Sequence, residues 1–530
     1  MDLIKYDFER KVINDLKKYD MKYNLKELKK IYCEFIKIIN NSKNHSNIVR
    51  FHKRITYTYS NMKYDNFYNF YSKKINRLQF EKNNKTIQKF KNKYIKTCDL
   101  LFDYFQKFSR NNSDNKYLLY LKQNYKISKD EYYIKFYNNF KVDVFVENKK
   151  IMVSFSNIYD LMDLINSHSN KEYIYHKFTK KINEYEKRFK KHIVSIINNN
   201  LCIENYFSNI LTENNINYNC LCNIKTIIKR SEILNMYVSY KKKILKNDNL
   251  FQIELFSYNY YYNINFKLEN ILEVFSLFGE NYISNIKNKL QNSIIIDNTL
   301  NNKGLTISNL SGNGFILIKN LNTIENIFVT VHELGHLMYN YYIDNKFMTS
   351  KEILISEISA ILNEILLNDY LVKNNLSNNI YFLDSVMKIL VNGIIEFEFL
   401  EDIYLYHNND YSYIKEKYYE ITKNLYNEEV HINKDNIDFI IDNNIYNDIY
   451  PLRYIVALII SINIFKNIQE DSNYINKYFK FIKQSSSVNS IDEALKILNI
   501  NLKQKKVYEN MISYLYNIIN HCIISEKNTM

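Results

Sequence analysis

A short run of residues just past the middle of the chain carries the residue types that bind a metal ion. Residues 331–337 read VHELGHL, in which His332, Glu333 and His336 form the pattern H-E-x-x-H. Apolar residues at helical spacing just before it predict an amphipathic helix, and residues four apart on a helix share one face. Both imidazoles can therefore reach one ion, with Glu333 in contact with a water molecule bound to it. Two unrelated surface histidines are the weaker interpretation, because the pattern is rare by chance.

A catalytic zinc ion needs a third protein ligand and an open position for water. The next predicted helix offers candidates, and the capping-box pattern at residues 349–352 marks its start. Glu357 and Glu364 are seven residues apart and share a helical face that is otherwise apolar, where an unpaired carboxylate is costly. We expect Glu357 to bind the ion and Glu364 to orient a ligand imidazole. For either glutamate alone, the alternative is a half-exposed charge on a helix.

Together these residues predict metal-assisted hydrolysis, with a peptide bond as the expected substrate. Zinc lowers the pKa of its water toward about 7 and polarises a carbonyl group. Glu333 is then the general base, which takes the proton of this water and later delivers it to the leaving amine. The tetrahedral oxyanion needs at least one further donor beside the zinc.

Glycine is rare in this chain, so its placement is informative. Three of the six glycines, Gly304, Gly312 and Gly314, precede the predicted zinc helix. Glycine is favoured where the backbone adopts positive φ or approaches another group closely, and the run at 315–318 is β-prone. We expect loops and a strand over residues 304–320, beside something that the backbone must approach. A plain hairpin with tight turns is the alternative.

The remainder of the sequence predicts a mainly α protein. Apolar residues recur at three- and four-residue spacing, and the whole chain has only one proline. One strand pair is indicated by alternating apolar residues on either side of a turn at 147–150. We place a boundary near residue 140, which gives an N-terminal helical region at 1–140 and a catalytic region at 141–530.

Charge and composition favour a cytoplasmic protein that binds neither nucleic acid nor membrane. The net charge is +15, but the lysines are spread along the chain among acidic residues, which favours a solvated surface over a polyanion site. The N-terminus lacks the apolar region of a signal peptide. The apolar stretch at 454–465 is shorter than the roughly 18 residues of a membrane span, so we expect a buried helix there. Six scattered cysteines are typical of reduced thiols.

The motifs resemble those of oligoendopeptidase F, within the thimet-oligopeptidase group of zinc metallopeptidases. That family has an HELGH core and, about 25 residues later, an acidic helix of the form Glu-x-Ala-Ser-x-x-Asn-Glu. Here Glu357, Asn363 and Glu364 stand at the corresponding positions, while Ser359-Ala360 reverses the usual Ala-Ser. We estimate that the resemblance covers about residues 140–465.

The resemblance implies a helical, two-lobed ellipsoid with a deep substrate channel and a small β-sheet lining the cleft. It also implies one zinc ion per chain and short, unstructured peptides as substrates. An edge strand would pair with the peptide backbone, which places Gly312, Gly314 and Phe315 among the expected substrate contacts. We expect a monomer or a weak homo-oligomer.

Three downstream tyrosines, Tyr446, Tyr450 and Tyr454, recur every four residues. In a chain with 50 tyrosines such a stripe is more often core or surface. Members of the family, however, close similar tyrosines over the substrate and stabilise the oxyanion with them. The resemblance therefore implies catalytic roles for Tyr446 and Tyr450 and a substrate contact for Tyr454.

Two departures from the family leave a second hypothesis open. Asn444 and Tyr339 stand where the family usually has histidine. The chain could then be a catalytically weakened relative that binds peptides or a partner protein. The retained Glu333 favours the active enzyme, because a weakened member would be free to lose its general base.

Overall fold

The structure, a computed structural model, describes residues 45–91, 139–198 and 206–527 with internal gaps. The gaps are 148, 156, 159–160, 163–164, 166, 187–189, 192, 195–196, 257–267, 298–303, 310–311, 319–322, 344–348, 377–379, 406–409, 428, 433–448 and 489. Asn444 and Tyr446 lie in the gap at 433–448, outside the described residues.

Helices dominate the described chain, so the mainly α class predicted from the sequence is confirmed. The helices are α1 His45–Tyr71, α2 Arg77–Phe90, α3 His168–Glu184, α4 Tyr206–Glu213, α5 Tyr218–Arg230, α6 Ile233–Leu245, α7 Gln252–Leu255, α8 Leu268–Val274, α9 Glu280–Asn292, α10 Ile324–Tyr342, α11 Ser350–Lys373, α12 Ile380–Leu405, α13 Tyr411–Leu425, α14 Tyr450–Glu470, α15 Tyr474–Gln484, α16 Ile491–Ile497 and α17 Lys505–Lys527. The strands are β1 Lys141–Val146, β2 Lys149–Ser154, β3 Ile294–Ile296, β4 Gly304–Ser308 and β5 Gly314–Ile318.

Asparagine replaces glycine at several helix ends. Asn215, Asn375, Asn427 and Asn499 have φ between 47° and 57°, and each lies two residues beyond the end of a helix. Asparagine tolerates this left-handed conformation because its short side chain can hydrogen-bond to the backbone nearby. The chain can therefore end helices sharply while using very little glycine.

The strand pair predicted near residue 140 is confirmed as an antiparallel hairpin of β1 and β2. Val142 pairs with Val153, and Val144 pairs with Ile151. The turn is tighter than expected, since β2 already begins at Lys149, and Glu147 adopts a φ of 49° in it. The domain boundary near residue 140 stays a prediction.

A second sheet lies against the helix that carries the histidine motif. Its strand order is β3-β5-β4, with β5 parallel to β3 and antiparallel to β4. All of β5 is buried. Tyr64 and Tyr68 of α1 cover Phe315 on one face of the sheet, and α10 packs against the other face. β4 and β5 thus form the hairpin expected as the alternative, with Gly312 at a φ of 84° in its turn. The expected close approach of the backbone is observed as well, between Gly304 and the Val329 and Glu333 side chains of α10.

Helix α14 runs through the core beside α11. Among the described helices, only the stretch Pro451–Glu470 is long and apolar enough to cross a membrane, and 78% of its 18-residue apolar window lies buried inside the fold. Its Ser461 hydroxyl donates to the backbone oxygen of Ile358 on α11 at 2.8 Å. The expectation of a buried helix in this region is confirmed, and Pro451 lies in its first turn, where proline is tolerated.

Candidate metal and active site

Helix α10 brings the two motif histidines together on one face. The Thr323 side chain caps the start of the helix by accepting from the Asn326 backbone N–H at 3.2 Å. One helical turn separates His332 from His336, and their Nε2 atoms lie 3.1 Å apart. Both side chains are largely enclosed, with 15% and 18% of their surface exposed.

Helix α11 adds a carboxylate oxygen to this pair. Glu357 Oε2 lies 3.6 Å from the Nε2 atom of His332 and 3.6 Å from that of His336. This oxygen is buried and accepts no hydrogen bond from any residue that the structure describes. A buried carboxylate oxygen without a donor is costly, so the arrangement favours a cation among the three atoms.

The other ring nitrogen of each histidine has its own partner. His332 Nδ1 lies 2.5 Å from Glu364 Oε1, and His336 Nδ1 lies 2.8 Å from the Ser356 hydroxyl. An ionised carboxylate can only accept, so a neutral His332 ring would carry its hydrogen on Nδ1 and turn the Nε2 lone pair toward the cluster. Sequence reasoning missed Ser356, because a helical serine that reaches a neighbouring helix has no local signature.

The charge around His332 shows that the site favours a cation. Burial alone would lower the pKa of this imidazole. The hydrogen bond and the charge of Glu364, together with the charges of Glu357 and Glu333, outweigh burial and raise the pKa to about 9. Three carboxylates thus stabilise positive charge on the His332 ring.

The three converging atoms fit the donor set of zinc. Nitrogen and oxygen ligands lie about 2.0–2.2 Å from zinc, so in a tetrahedral site they stand about 3.3 Å from one another. The observed separations of 3.1, 3.6 and 3.6 Å lie on either side of that value. Two imidazoles and one carboxylate are also a donor set typical of catalytic zinc sites.

Glu333 lies next to this cluster, and a residue of the β-sheet hydrogen-bonds to its carboxylate. The Thr306 hydroxyl on β4 lies 2.6 Å from Glu333 Oε2 and 2.9 Å from the backbone oxygen of Glu333. Thr306 was not identified from the sequence. Its contact spans 27 residues, and no pattern along the chain links a strand threonine to a helix glutamate.

An open cavity of about 240 Å³ lies beside His332. Besides His332, Glu333 and Glu364, the cavity is lined by Gly304, Phe328, Val329, Tyr381, Ser385 and Tyr454. The Tyr454 ring is nearly parallel to that of His332, with centroids 6.5 Å apart. Tyr381 and Ser385, on the first turns of α12, are lining residues that the sequence analysis did not identify.

Several other expected contacts lie elsewhere. Phe315 is fully buried beneath Tyr64 and Tyr68 of α1, and Gly314 is buried against α10, so the structure presents neither to the cavity. Neither residue lines the cavity, and their contact with substrate stays a prediction. The hairpin contributes Gly304 to the cavity instead.

Gly312, Tyr450 and Tyr339 occupy three different places in the fold. Gly312 forms the β4–β5 turn and is not among the cavity-lining residues that the structure describes. Tyr450 is the first residue of α14, one turn before Tyr454. Tyr339 is buried and lines a narrow space with Gly335, away from the histidine cluster.

Comparison with curated protein sequences finds a distant relative. The oligoendopeptidase F homolog of Borreliella burgdorferi is 23% identical over an alignment of 336 positions that covers 58% of this chain. The alignment spans 57% of that relative's own length. No family model matches the chain.

Solved peptidase structures share the fold of this chain. Oligoendopeptidase F from Enterococcus faecium has a TM-score of 0.61 at 13% identity, and covers 99% of both chains. Pz peptidase A, solved with an inhibitor, has a TM-score of 0.70 at 12% identity over 94% of this chain and 98% of its own. The resemblance to oligoendopeptidase F predicted from the sequence is confirmed, and the chain has the fold of those structures.

Proposed function

We propose that this protein is a zinc-dependent endopeptidase that hydrolyses peptide bonds in short, unstructured peptides. The observation that carries the proposal is the convergence of His332 Nε2, His336 Nε2 and Glu357 Oε2, with the Glu333 carboxylate next to them. The names of the sequence relative and of the structural neighbours, oligoendopeptidase F and Pz peptidase A, support the same class of reaction.

The three convergent residues would hold one zinc ion per chain. When bound, zinc supplies a Lewis acid that polarises the scissile carbonyl group and makes a water molecule more acidic. Glu364 and Ser356 hold the two imidazoles so that both lone pairs stay directed into the cluster. The buried oxygen of Glu357 completes the donor set.

Glu333 would act as the general base and then as the general acid. Its carboxylate takes a proton from the attacking water as the new C–O bond forms and the carbonyl carbon becomes tetrahedral. It then passes this proton to the leaving amine as the oxyanion collapses and the peptide C–N bond breaks. The position of Glu333 on the cavity wall fits both transfers. The cavity is open, which fits a peptide that reaches the site as an extended chain.

Three tyrosines are the proposed partners of the substrate: Tyr454 and Tyr450 in the first turns of α14, and Tyr446, which lies outside the described residues. Tyr454 lines the cavity and would contact the bound peptide. For Tyr446 and Tyr450 we propose hydrogen bonds to the oxyanion, on the strength of the resemblance to oligoendopeptidase F. Phenol hydroxyls can supply the additional donor that the developing charge needs.

The proposal is tested by incubating the protein with a peptide mixture, with and without a chelator, and identifying products by mass spectrometry. We expect metal-dependent cleavage that Glu333→Gln lowers by about 10²- to 10⁴-fold, the usual contribution of a general base. Zinc content should remain unchanged, because Glu333 is not among the proposed ligands.

The matched control is Glu325→Gln, the same change in the first turn of the same helix, which should keep full turnover. Undiminished turnover in Glu333→Gln would show that the base is wrongly assigned. Peptide binding without cleavage by the unmodified chain would contradict the proposal and favour the weakened relative.

A further inference from the structure

Thr306 is the one β4 side chain that the structure shows hydrogen-bonded to Glu333. Its Oγ1 atom lies 2.6 Å from Glu333 Oε2 and 2.9 Å from the Glu333 backbone oxygen. A hydroxyl has a single hydrogen to donate, and both acceptors within its reach belong to the same residue. A hydrogen bond to an ionised carboxylate is the stronger of the two kinds.

The strand that carries Thr306 is firmly held. β4 pairs with β5 along its whole length, from Gly304 opposite Ile318 to Ser308 opposite Gly314. β5 is buried throughout. Threonine is also stiff about its first side-chain torsion, so the hydroxyl is presented from a nearly fixed point.

Gly304, two residues earlier on the same face of β4, brings the strand close to the base. An added Cβ at Gly304 would lie 2.4 Å from Val329 Cγ1, 3.1 Å from Glu333 Cγ and 3.6 Å from Glu333 Oε1. Only glycine therefore allows β4 to approach α10 this closely. Glu333 thus has Thr306 at Oε2 and the cavity-lining Gly304 on the side of Oε1.

We propose that Thr306 is a positioning residue for the general base: its hydroxyl holds Oε2 and leaves Oε1 free to accept the proton of the attacking water. This inference rests on the proposed function. Glutamate has three rotatable side-chain bonds, and an untethered carboxylate on the cavity wall would sample several rotamers. Misplacement of a reacting group by even about 1 Å can reduce the rate by about 10²-fold.

The test compares Thr306→Val, which keeps the branched shape without the hydroxyl, with Thr306→Ser, which keeps the hydroxyl. We expect Thr306→Val to lower kcat by about 10- to 100-fold, the range seen when an orienting partner is removed. KM and zinc content should stay at the values of the unmodified protein. Thr306→Ser should keep kcat within about threefold, because its hydroxyl can still reach Oε2.

Three outcomes would overturn the inference: an unchanged kcat in Thr306→Val, an equal loss in Thr306→Ser, or a loss confined to KM or zinc content. The last would show that Thr306 merely ties the sheet to the helix. Thr306→Ala serves as a second variant without the hydroxyl if Thr306→Val does not fold.

Glu333→Gln, measured beside these variants, separates the two claims. Turnover that survives Glu333→Gln would overturn the proposed function itself. An inactive Glu333→Gln together with a fully active Thr306→Val would overturn only the positioning role of Thr306.

Discussion

The raised pKa of His332 reflects the negative charge of the glutamates around this imidazole. Burial disfavours the charged ring, yet Glu364, Glu357 and Glu333 together raise the pKa of His332 to about 9. A proton and a zinc ion compete for the same environment, because zinc binds only neutral imidazole. The protonation of His332 therefore opposes metal binding, which links zinc affinity to pH.

This linkage predicts how the stability of the metal-free protein depends on pH. The folded-state pKa of His332, about 9, lies above its ordinary value of 6.5. The stabilisation is then fully present below pH 6.5 and is lost as the pH rises through about 9. We expect the free energy of unfolding, measured by urea titration of chelator-treated protein, to fall over this interval.

Glu364→Gln is the matched control for the pH prediction, since it removes the largest favourable contribution to this pKa. The decline between pH 6.5 and 9 should be clearly shallower in this variant. Equal slopes in the two proteins would show that His332 is not responsible.

The histidines and glutamates of the site were predictable from the sequence, because helical spacing puts them on shared helix faces. His332 and His336 are one turn apart, and Glu357 and Glu364 are two turns apart, so a local rule puts each pair on one face. Helical spacing could not identify Ser356 and Thr306, because each contacts a residue of a different element: Ser356 contacts His336, and Thr306 contacts Glu333. Such contacts exist only after packing.

At the scale of elements, the crossing of α10 and α11 decides whether the ligands meet. Gly335 lies between the two histidine-bearing turns, and an added Cβ there would lie 2.6 Å from Ala360 Cα and 2.9 Å from Ser359 O. Both atoms belong to the backbone of α11 and cannot move aside as a side chain can. The helices approach this closely only because residue 335 has no side chain.

Gly335→Ala should therefore separate the two helices and weaken the site. We expect the free energy of unfolding to fall by about 1–3 kcal/mol, as for other overpacked positions, and zinc affinity to fall with it. Urea titration and a competition assay with a chromophoric chelator measure the two effects.

Gly393→Ala is the matched helical control, because its added Cβ would meet only the Ile455 side chain, at 3.1–3.3 Å. That variant should retain zinc affinity. Unchanged zinc affinity in Gly335→Ala would contradict the account of the crossing.

The β4–β5 hairpin could be predicted from the sequence, but the helix that packs on it could not. The glycine cluster and the apolar run at 315–318 predicted a close approach and a strand. A continuous apolar stretch is also typical of a strand buried on both faces, and Phe315 is indeed buried rather than exposed to the cavity. The covering element, α1, lies about 250 residues earlier in the sequence, and such long-range packing has no local signal.

At the scale of the whole molecule, the mainly α class followed from apolar periodicity and the scarcity of chain breakers. The use of asparagine at helix ends explains how so few glycines suffice. The deep channel implied by the resemblance stays a prediction, because residues 92–138 of the N-terminal region lie outside the described residues. What the described chain establishes is a sheet held between α1 and α10, with a cavity at its edge.

The most direct test of the central claim is anomalous X-ray diffraction at the zinc absorption edge from crystals of the zinc-loaded protein. We predict one anomalous peak per chain, within bonding distance of His332 Nε2, His336 Nε2 and Glu357 Oε2. A zinc peak bound by other residues, or no peak among these three atoms, would contradict the account.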